Sequence, residues 1–316
     1  MSHVGGDAEH RVWAAMPPGS RDALAALPAA DLRTLLLGVA RDRAGAVRPA
    51  QVLRRWQEDR FVRPSAADPR VLSRLEGRIW ALLPPDAAGV ELSPVAPLGT
   101  CAAVAPISQH RIVSTMRGTE VISDPTNALA VEAAARRSQA DEVHLAAMHR
   151  VLRAQDFGPD ASTHFRLCAL VSTTRDTGSG RTEARLLLRH LTFWRTVLTE
   201  LAPAAAPRLH VTALDPIVGE RLHDTVQPAF GDSPVPLHDE PERERGRGYY
   251  RGAALRVSLH DDKWDVGDGG FTDWTARLLG DAKERCLISC LATERLADLT
   301  PWSDGGRERR SPERGD

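Results

Sequence analysis

The chain has 316 residues, 42% hydrophobic and 26% charged, with 41 basic against 42 acidic side chains and a formal net charge of −1. That balance predicts a soluble globular protein and excludes the broad basic face of a dedicated nucleic-acid binder. About twice the usual domain length leaves room for one large domain with a smaller one, neither needing a disulfide or metal staple. Only Lys263 and Lys283 are lysines, so nearly every positive charge is a guanidinium fork suited to phosphate or carboxylate. Cys101, Cys168, Cys286 and Cys290 form no C-x-x-C pair, which predicts reduced thiols and no zinc site. The first residues, MSHVGGDAEHR, lack a signal-peptide pattern, and no apolar run is long enough to cross a bilayer. The expectation is a cytoplasmic protein without a membrane.

Residues 20–60 read as short helices: Ser20 and Asp31 can cap them, Leu32, Leu35, Leu36 and Val39 share a face, Gly45 ends the second and Pro49 opens a third. Residues 1–62 are therefore expected to form a helical appendage to a main domain over 63–302. The next helix, 69–83, has Asp68 at its cap, Pro69 in its first turn and Leu72, Leu75, Ile79 and Leu82 on one stripe. From residue 90 the texture changes to short β-branched runs: VELSPV, RIVSTM, TEVIS, FRLCALVST, RLHVTAL, AALRVSL and CLISCL. Helices are expected over 127–153, with a break, and over 183–201. Strands outnumber helices without alternating with them, which predicts an α+β fold with an antiparallel sheet flanked by helices. The Pro-rich stretch 232–248 reads as an exposed loop, and the charged, Gly-rich 303–316 as a disordered tail.

Four clusters could carry chemistry. Asp124 and Thr126 precede a helix, where they can cap it or grip a ligand ammonium group. Residues 143–157 can also be a strand, and a hairpin with 164–175 would bring Arg150 and Phe165 toward one pocket; Arg on a phosphate and the ring on a base would suit a nucleotide, while a surface arginine and a core ring are the plain alternative. RGRGYYRG and VGDGGFTDW set glycines beside Arg245, Tyr249, Tyr250 and Asp273, either as close-approach backbone or as ordinary hairpin turns. Finally, the strand CLISCL runs into Glu294-Arg295, a domain-edge ion pair or a phosphate clamp on a rigid element. No P-loop, G-x-G-x-x-G, G-x-S-x-G or H-E-x-x-H pattern occurs.

In that order the clusters resemble the catalytic domain of class II aminoacyl-tRNA synthetases, specifically the histidyl-tRNA synthetase family with its ATP phosphoribosyltransferase regulatory relatives. The resemblance covers about residues 68–298. Helix 69–83 with VELSPV looks like motif 1, the dimer-forming unit. SDPTNALAVEAAARR is similar to R-P-[DE]-x-T, which places Asp124 and Thr126 on the amino acid. MHRVLR resembles the F-R-x-E-R start of motif 2, implying that Arg150 meets the ATP α-phosphate and Phe165 stacks on adenine. RGRGYYRG resembles R-G-L-D-Y-Y-T-G, which puts Arg245 on the catalytic arginine and Tyr249 and Tyr250 in the substrate pocket. GGFTDW, with Gly269, Gly270 and Asp273, resembles G-G-R-Y-D, and ATERL resembles the end of motif 3, with Glu294 beside ATP and Arg295 on the γ-phosphate.

The departures are specific. Leu152 replaces the motif 2 glutamate, Asp124-Pro125 lacks the preceding arginine, motif 3 lacks its glycines, with Ser289 and Ala292 in their region, and the stretch after motif 3 is expected to leave no room for the family's anticodon-binding domain. The resemblance therefore implies a stand-alone paralog, not a complete tRNA synthetase. It implies binding of an amino acid or related carboxylate, with ATP and Mg²⁺ as expected cofactors, in a regulatory or sensing role. An ATP-dependent adenylate-forming ligase with a non-tRNA acceptor and a dimeric non-catalytic scaffold are the alternatives. Homodimerisation through motif 1 and a protein partner on residues 1–60 are further expectations.

Overall fold

A computed structural model describes residues 4–105, 107–155 and 162–300. The proposed tail at 303–316 lies outside these residues. The chain opens with helices α1 (Val4–Ala14), α2 (Ser20–Ala26), α3 (Ala29–Gly45) and α4 (Pro49–Glu58). Gly19 and Pro28 occupy the cap positions of α2 and α3, so Ser20 and Asp31 fall inside the first turns instead. No residue of α2, α3 or α4 is buried, and Leu35, Val39, Val52, Leu53 and Trp56 are exposed. The turn segment after α4 is fastened to the main body: Arg60 Nη2 donates to the Ala154 carbonyl at 3.0 Å, and Thr163 Oγ1 donates to the Arg60 carbonyl at 2.8 Å.

Helix α5 (Pro69–Ala81) follows, capped by Asp68, whose carboxylate accepts from the Arg70 N–H at 2.8 Å. The expected stripe lands inward, with Leu72, Leu75 and Ile79 buried. Strands β1 (Ala88–Gly89) and β2 (Val95–Pro97), helix α6 (Thr100–Val104) and strand β3 (Thr119–Val121) lead to α7 (Pro125–Arg136). Only the last residue of VELSPV and the first three of TEVIS enter strands, and RIVSTM contributes a single bridge, Ser114 to Glu120.

The expected helix over 127–153 is two elements. Helix α7 stops at Arg136, and Glu142–Leu152 is strand β4, which pairs antiparallel with β5 (His164–Arg175). The alanines and Met148 of VHLAAMHRV read equally as helix, but burial on both faces selects a central strand. Helix α8 (Arg181–Leu201) agrees with expectation. Then come β6 (Arg208–Ala213), α9 (Pro216–Arg221), β7 (Leu237–Asp239), β8 (Arg251–Leu259), β9 (Trp264–Thr272), α10 (Trp274–Leu279), β10 (Glu284–Ala292) and α11 (Thr293–Leu299). Strand β7 interrupts the loop expected over 232–248, and β9 is a central strand, so of the two readings of the VGDGGF glycines it is close backbone approach, not hairpin turns, that holds.

The sheet order is β1-β4-β5-β10-β9-β8-β6-β7. Its six inner strands are antiparallel, while the short edges β1 and β7 pair in parallel, so the sheet is mixed. Because strand side chains alternate, each face has its own helices. On one face Ala146, Met148, Cys168, Leu170, Leu255 and Leu287 pack with Leu186, Leu187, Leu191 and Trp194 of α8 and with Leu75 of α5. On the other, Leu145, Ala147, Ala169, Val171 and Ile288 pack with Leu129, Ala130 and Ala133 of α7 and with Trp274. Truncating one such fully buried leucine to alanine costs about 2–5 kcal/mol, so these layers hold the sheet rigid beneath the site. No helix among the described residues is long and apolar enough to cross a membrane.

Candidate functional site

The site is built on the α7 face. Asp124 is the N-cap of α7: its Oδ1 accepts from the Thr126 N–H at 3.0 Å and from Thr126 Oγ1 at 2.7 Å. The capping role is therefore real, and it fixes the carboxylate with Oδ2 turned toward Arg153, whose Nη2 lies 3.4 Å away. Arg153 Nε donates to the Ser123 carbonyl at 2.8 Å, and its guanidinium carbon sits 5.1 Å from the centre of the Phe165 ring. Such a planar cation over a ring is attracted by the ring quadrupole and stays oriented.

Strand alternation decides which arginine takes that place. Val151 pairs with Phe165 and packs with it and Leu167 on the α7 face, so Arg153, two residues on, continues toward the same side. Arg150 has the parity of Ala146 and Met148 and lies on the α8 face. There its Nη2 donates to Glu294, its Nη1 contacts His164 Nδ1 at 3.0 Å, and its strand partner Arg166 forms a two-pronged pair with Glu76 at 2.8 and 2.7 Å. Arg150 and Glu294 are thus not gathered with Asp124 and Phe165.

The tyrosines reach the site through glycine. The N–H groups of Tyr249 and Tyr250 both donate to the Gly246 carbonyl, at 3.1 and 2.9 Å, in a turn where Gly246 has φ +85°. A Cβ on Gly246 would come within 2.7 Å of the Tyr250 ring, and one on Gly270 within 2.6 Å of its other edge. Tyr250 is therefore clasped between two glycines, and Tyr249 stands edge-on to it at 4.9 Å and to Trp274 at 6.0 Å. Gly269 serves a different contact, since a Cβ there would strike the Ile288 carbonyl at 2.4 Å. Burial first, then the charges of Asp124, Cys290 and Asp268, push the Tyr249 hydroxyl up, with Arg153 opposing. Tyr249 thus remains a neutral donor and acceptor among all four groups.

Sequence reasoning missed three members of this group. Asp268 crosses from Cys290 in the β9/β10 register, and its Oδ1 accepts from the Gly269 N–H at 2.9 Å and from Arg243 Nη2 at 2.6 Å. Desolvation pushes the Asp268 carboxyl above its ordinary range, against the pull of Arg243 and Arg245. Arg243 is buried, with Nε on the Arg245 carbonyl at 2.8 Å and Nη1 on the Leu255 carbonyl at 3.0 Å, so it ties the glycine-tyrosine ribbon to the sheet. Arg153 is the third. The available signals were the carboxylate immediately before Gly269-Gly270 and the period-two spacing that follows once 142–152 is a strand.

Arg245 and Arg295 are exposed and meet at Asp265: Arg245 Nη1 lies 3.4 Å from its carboxylate, and Arg295 Nη1 donates to its carbonyl at 2.8 Å. Arg245 Nε is also 3.9 Å from Asp268 Oδ2, which connects this rim to the cleft. Asp273 is elsewhere, bound to Arg251 at 2.7 Å at the end of β9. Among the described residues, no group of three or more His, Cys, Asp or Glu is placed to hold a metal ion.

The arrangement offers a carboxylate at a helix start, a guanidinium over an aromatic ring, a clasped tyrosine with a second edge-on to it, and a second, half-buried carboxylate. It can hold a small zwitterion, with ammonium on the carboxylates and an anionic end on Arg153.

No protein-family model matches the chain, and comparison of its sequence with curated proteins finds no match. Solved structures do match. An ATP phosphoribosyltransferase regulatory subunit/histidyl-tRNA synthetase from Bacillus halodurans is 10% identical with a TM-score of 0.59, over 75% of this chain and 82% of that one. Histidyl-tRNA synthetase from Nostoc is 13% identical with a TM-score of 0.56, over 76% and 74% of the two chains. A histidine–tRNA ligase subunit from Alicyclobacillus acidocaldarius is 12% identical with a TM-score of 0.55, over 75% and 95%. At such identities the likeness establishes architecture, and it agrees with the order of motifs in the sequence: the chain carries the class II, histidyl-tRNA synthetase-like fold.

Proposed function

We propose that this chain is a synthetase-like paralog that binds an amino acid or related carboxylate in the cleft around Tyr249 and acts as a sensor of it. The observation that carries this reading is the division of the motif residues. Asp124, Thr126, Phe165, Tyr249, Tyr250 and Gly270 assemble with Arg153 and Asp268, whereas Arg150 is locked to Glu294 on the α8 face. Amino-acid binding needs the first group. Adenylation needs fixed positive charge on an α-phosphate as it becomes more negative, and a guanidinium already paired on the opposite face does not supply it.

Within this reading Asp124 and Thr126 orient the ammonium group, Arg153 meets the carboxylate, and Phe165 and Tyr249 exclude water from one side. The exposed rim pair Arg245 and Arg295 favours a second reading, an adenylate-forming ligase, because two guanidiniums on one support can hold a polyphosphate. In that reading ATP lays its base on Phe165, and its phosphates, with Mg²⁺, extend to the rim.

Pyrophosphate exchange with a panel of amino acids, run beside thermal-shift titrations, separates the two. The sensor reading expects an amino-acid-dependent rise in melting temperature without exchange. Exchange by the unmodified protein that disappears in Arg295→Ala would replace it with the ligase reading, and no response in either assay would remove both.

A further inference from the structure

The N-terminal helices have no core of their own, since no residue of α2, α3 or α4 is buried. Helix α3 is the longest of the three, and its solvent side is ordered. Asp31, Leu35, Val39 and Arg43 are all exposed and follow one another at four-residue spacing, so they form one ridge along the helix. Leu35 keeps 45% of its surface in solvent and Val39 52%. The ridge thus runs from a carboxylate through two apolar side chains to a guanidinium. Both ends are open: among the described residues Asp31 and Arg43 make no ion pair, while Asp42 on the same side is paired with Arg41 at 3.3 Å.

The pattern has a centre. Asp31 and Arg43 lie six residues before and after Leu37, and Leu35 and Val39 lie two residues before and after it. A second copy of the helix, turned end for end about an axis beside Leu37, would set Asp31 against the partner's Arg43, Arg43 against the partner's Asp31, and the two apolar pairs against each other. A two-fold interface demands this self-complementarity, because one patch must serve both partners. Ridges of four-residue spacing packed side by side also give the commonest helix crossing, closest at its middle. Gly38 stands there. A Cβ on it would meet nothing within 4 Å, so no contact with the described residues calls for a glycine in this helix interior, where it costs about 1 kcal/mol against alanine. Its bare backbone does let a second helix approach.

We propose that α3 is a self-association surface whose occupant is the same helix of a second copy of this chain, crossing antiparallel. Opposite charges at the two ends select for that partner. A nucleic acid or an acidic segment, carrying one sign of charge, is attracted at Arg43 and repelled at Asp31. One helix crossing buries less than the roughly 1,200 Å² of a standard interface, so the association is weak, with a dissociation constant of about 10–100 µM.

Sedimentation equilibrium of the full chain over about 1–300 µM tests this. The unmodified protein should show a reversible association step. Asp31→Arg and Arg43→Asp, each alone, put like charges at both ends of the crossing and should weaken that step about tenfold. An equimolar mixture of the two variants restores both opposite-charge contacts and should associate within about threefold of the unmodified protein. If circular dichroism shows that Asp31→Arg, in the first turn, unwinds the helix, Leu35→Gln carries the expectation of an about tenfold loss instead. A chain that stays monomeric throughout, a step that neither reversal weakens, or a mixture no better than its separate variants would each overturn the proposal. The second result would put the contact on another face, such as the α5 unit.

Discussion

Tyr250 lies against the bare backbone of Gly270, so close that a single added methyl group on that glycine would fall 2.6 Å from the ring and 2.8 Å from the Ala253 carbonyl. The glycine is therefore a requirement of the tyrosine's position, and both belong to one packing unit. Gly270→Ala should destabilise the protein by about 1–3 kcal/mol through overpacking, measured by urea unfolding, and should weaken any cleft ligand more than it weakens ligands bound elsewhere. Unchanged stability would mean that the ring is not seated there.

Arg243 and Asp268 form the ion pair beneath that unit, with the arginine side chain 5% exposed and the aspartate 27%. Removing the arginine alone strands a half-buried carboxylate, so Arg243→Ala should cost about 3 kcal/mol, near the low end for buried pairs because Asp268 keeps some solvent. The double variant Arg243→Ala with Asp268→Ala should recover the part of that loss that comes from the stranded carboxylate, but not the part from the bonds of Arg243 to the Arg245 and Leu255 carbonyls. Chemical denaturation of the single and double variants is the check, and additivity of their effects would contradict the pairing.

A buried hydrogen-bond chain runs beneath α8: His144 Nδ1 to Ser172 at 2.7 Å, Ser172 to His190 Nε2 at 2.9 Å, and His190 Nδ1 to Ser289 at 2.8 Å. Burial pulls His190 down to about 3, and burial also lowers His144, His149 and His210. Unfolded histidine takes up a proton near pH 6.5, so between about pH 6.5 and 3 the unfolded chain binds more protons than the native one. Stability should be complete above about pH 6.5 and fall as the pH drops. His190→Gln should reduce that slope by up to about 1.4 kcal/mol per pH unit, measured as unfolding free energy against pH. An equal slope in the variant would mean that His190 is not buried neutral.

The sequence made much of this visible because its strongest signals were local. Asp68 with Pro69 marked a helix, the 183–201 periodicity marked α8, and paired β-branched runs marked β5, β8 and β10. What was hidden depended on neighbours. Residues 142–152 carry alanine, methionine and histidine, which suit helix and buried strand alike, and only the partner strands decide. The glycines of β9 fit turns and close backbone approach equally in sequence, and only the neighbours decide for the second: their lack of side chains is what lets Tyr250 and the Ile288 carbonyl approach. The arginine register failed for the same reason: in a strand, one residue changes the face, so aligning MHRVLR on Arg150 left Arg153 unnoticed.

Comparison of Arg153→Ala with Arg150→Ala addresses the central claim, a ligand cleft on the α7 face anchored by Arg153. Dissociation constants are measured by calorimetry for whichever amino acid raises the melting temperature of the unmodified protein. Arg153→Ala should weaken binding by about 1.5–3 kcal/mol, the loss of a charge-assisted contact, while Arg150→Ala should leave it nearly unchanged apart from any effect on stability. The reverse pattern, with Arg150 essential and Arg153 dispensable, would contradict the account.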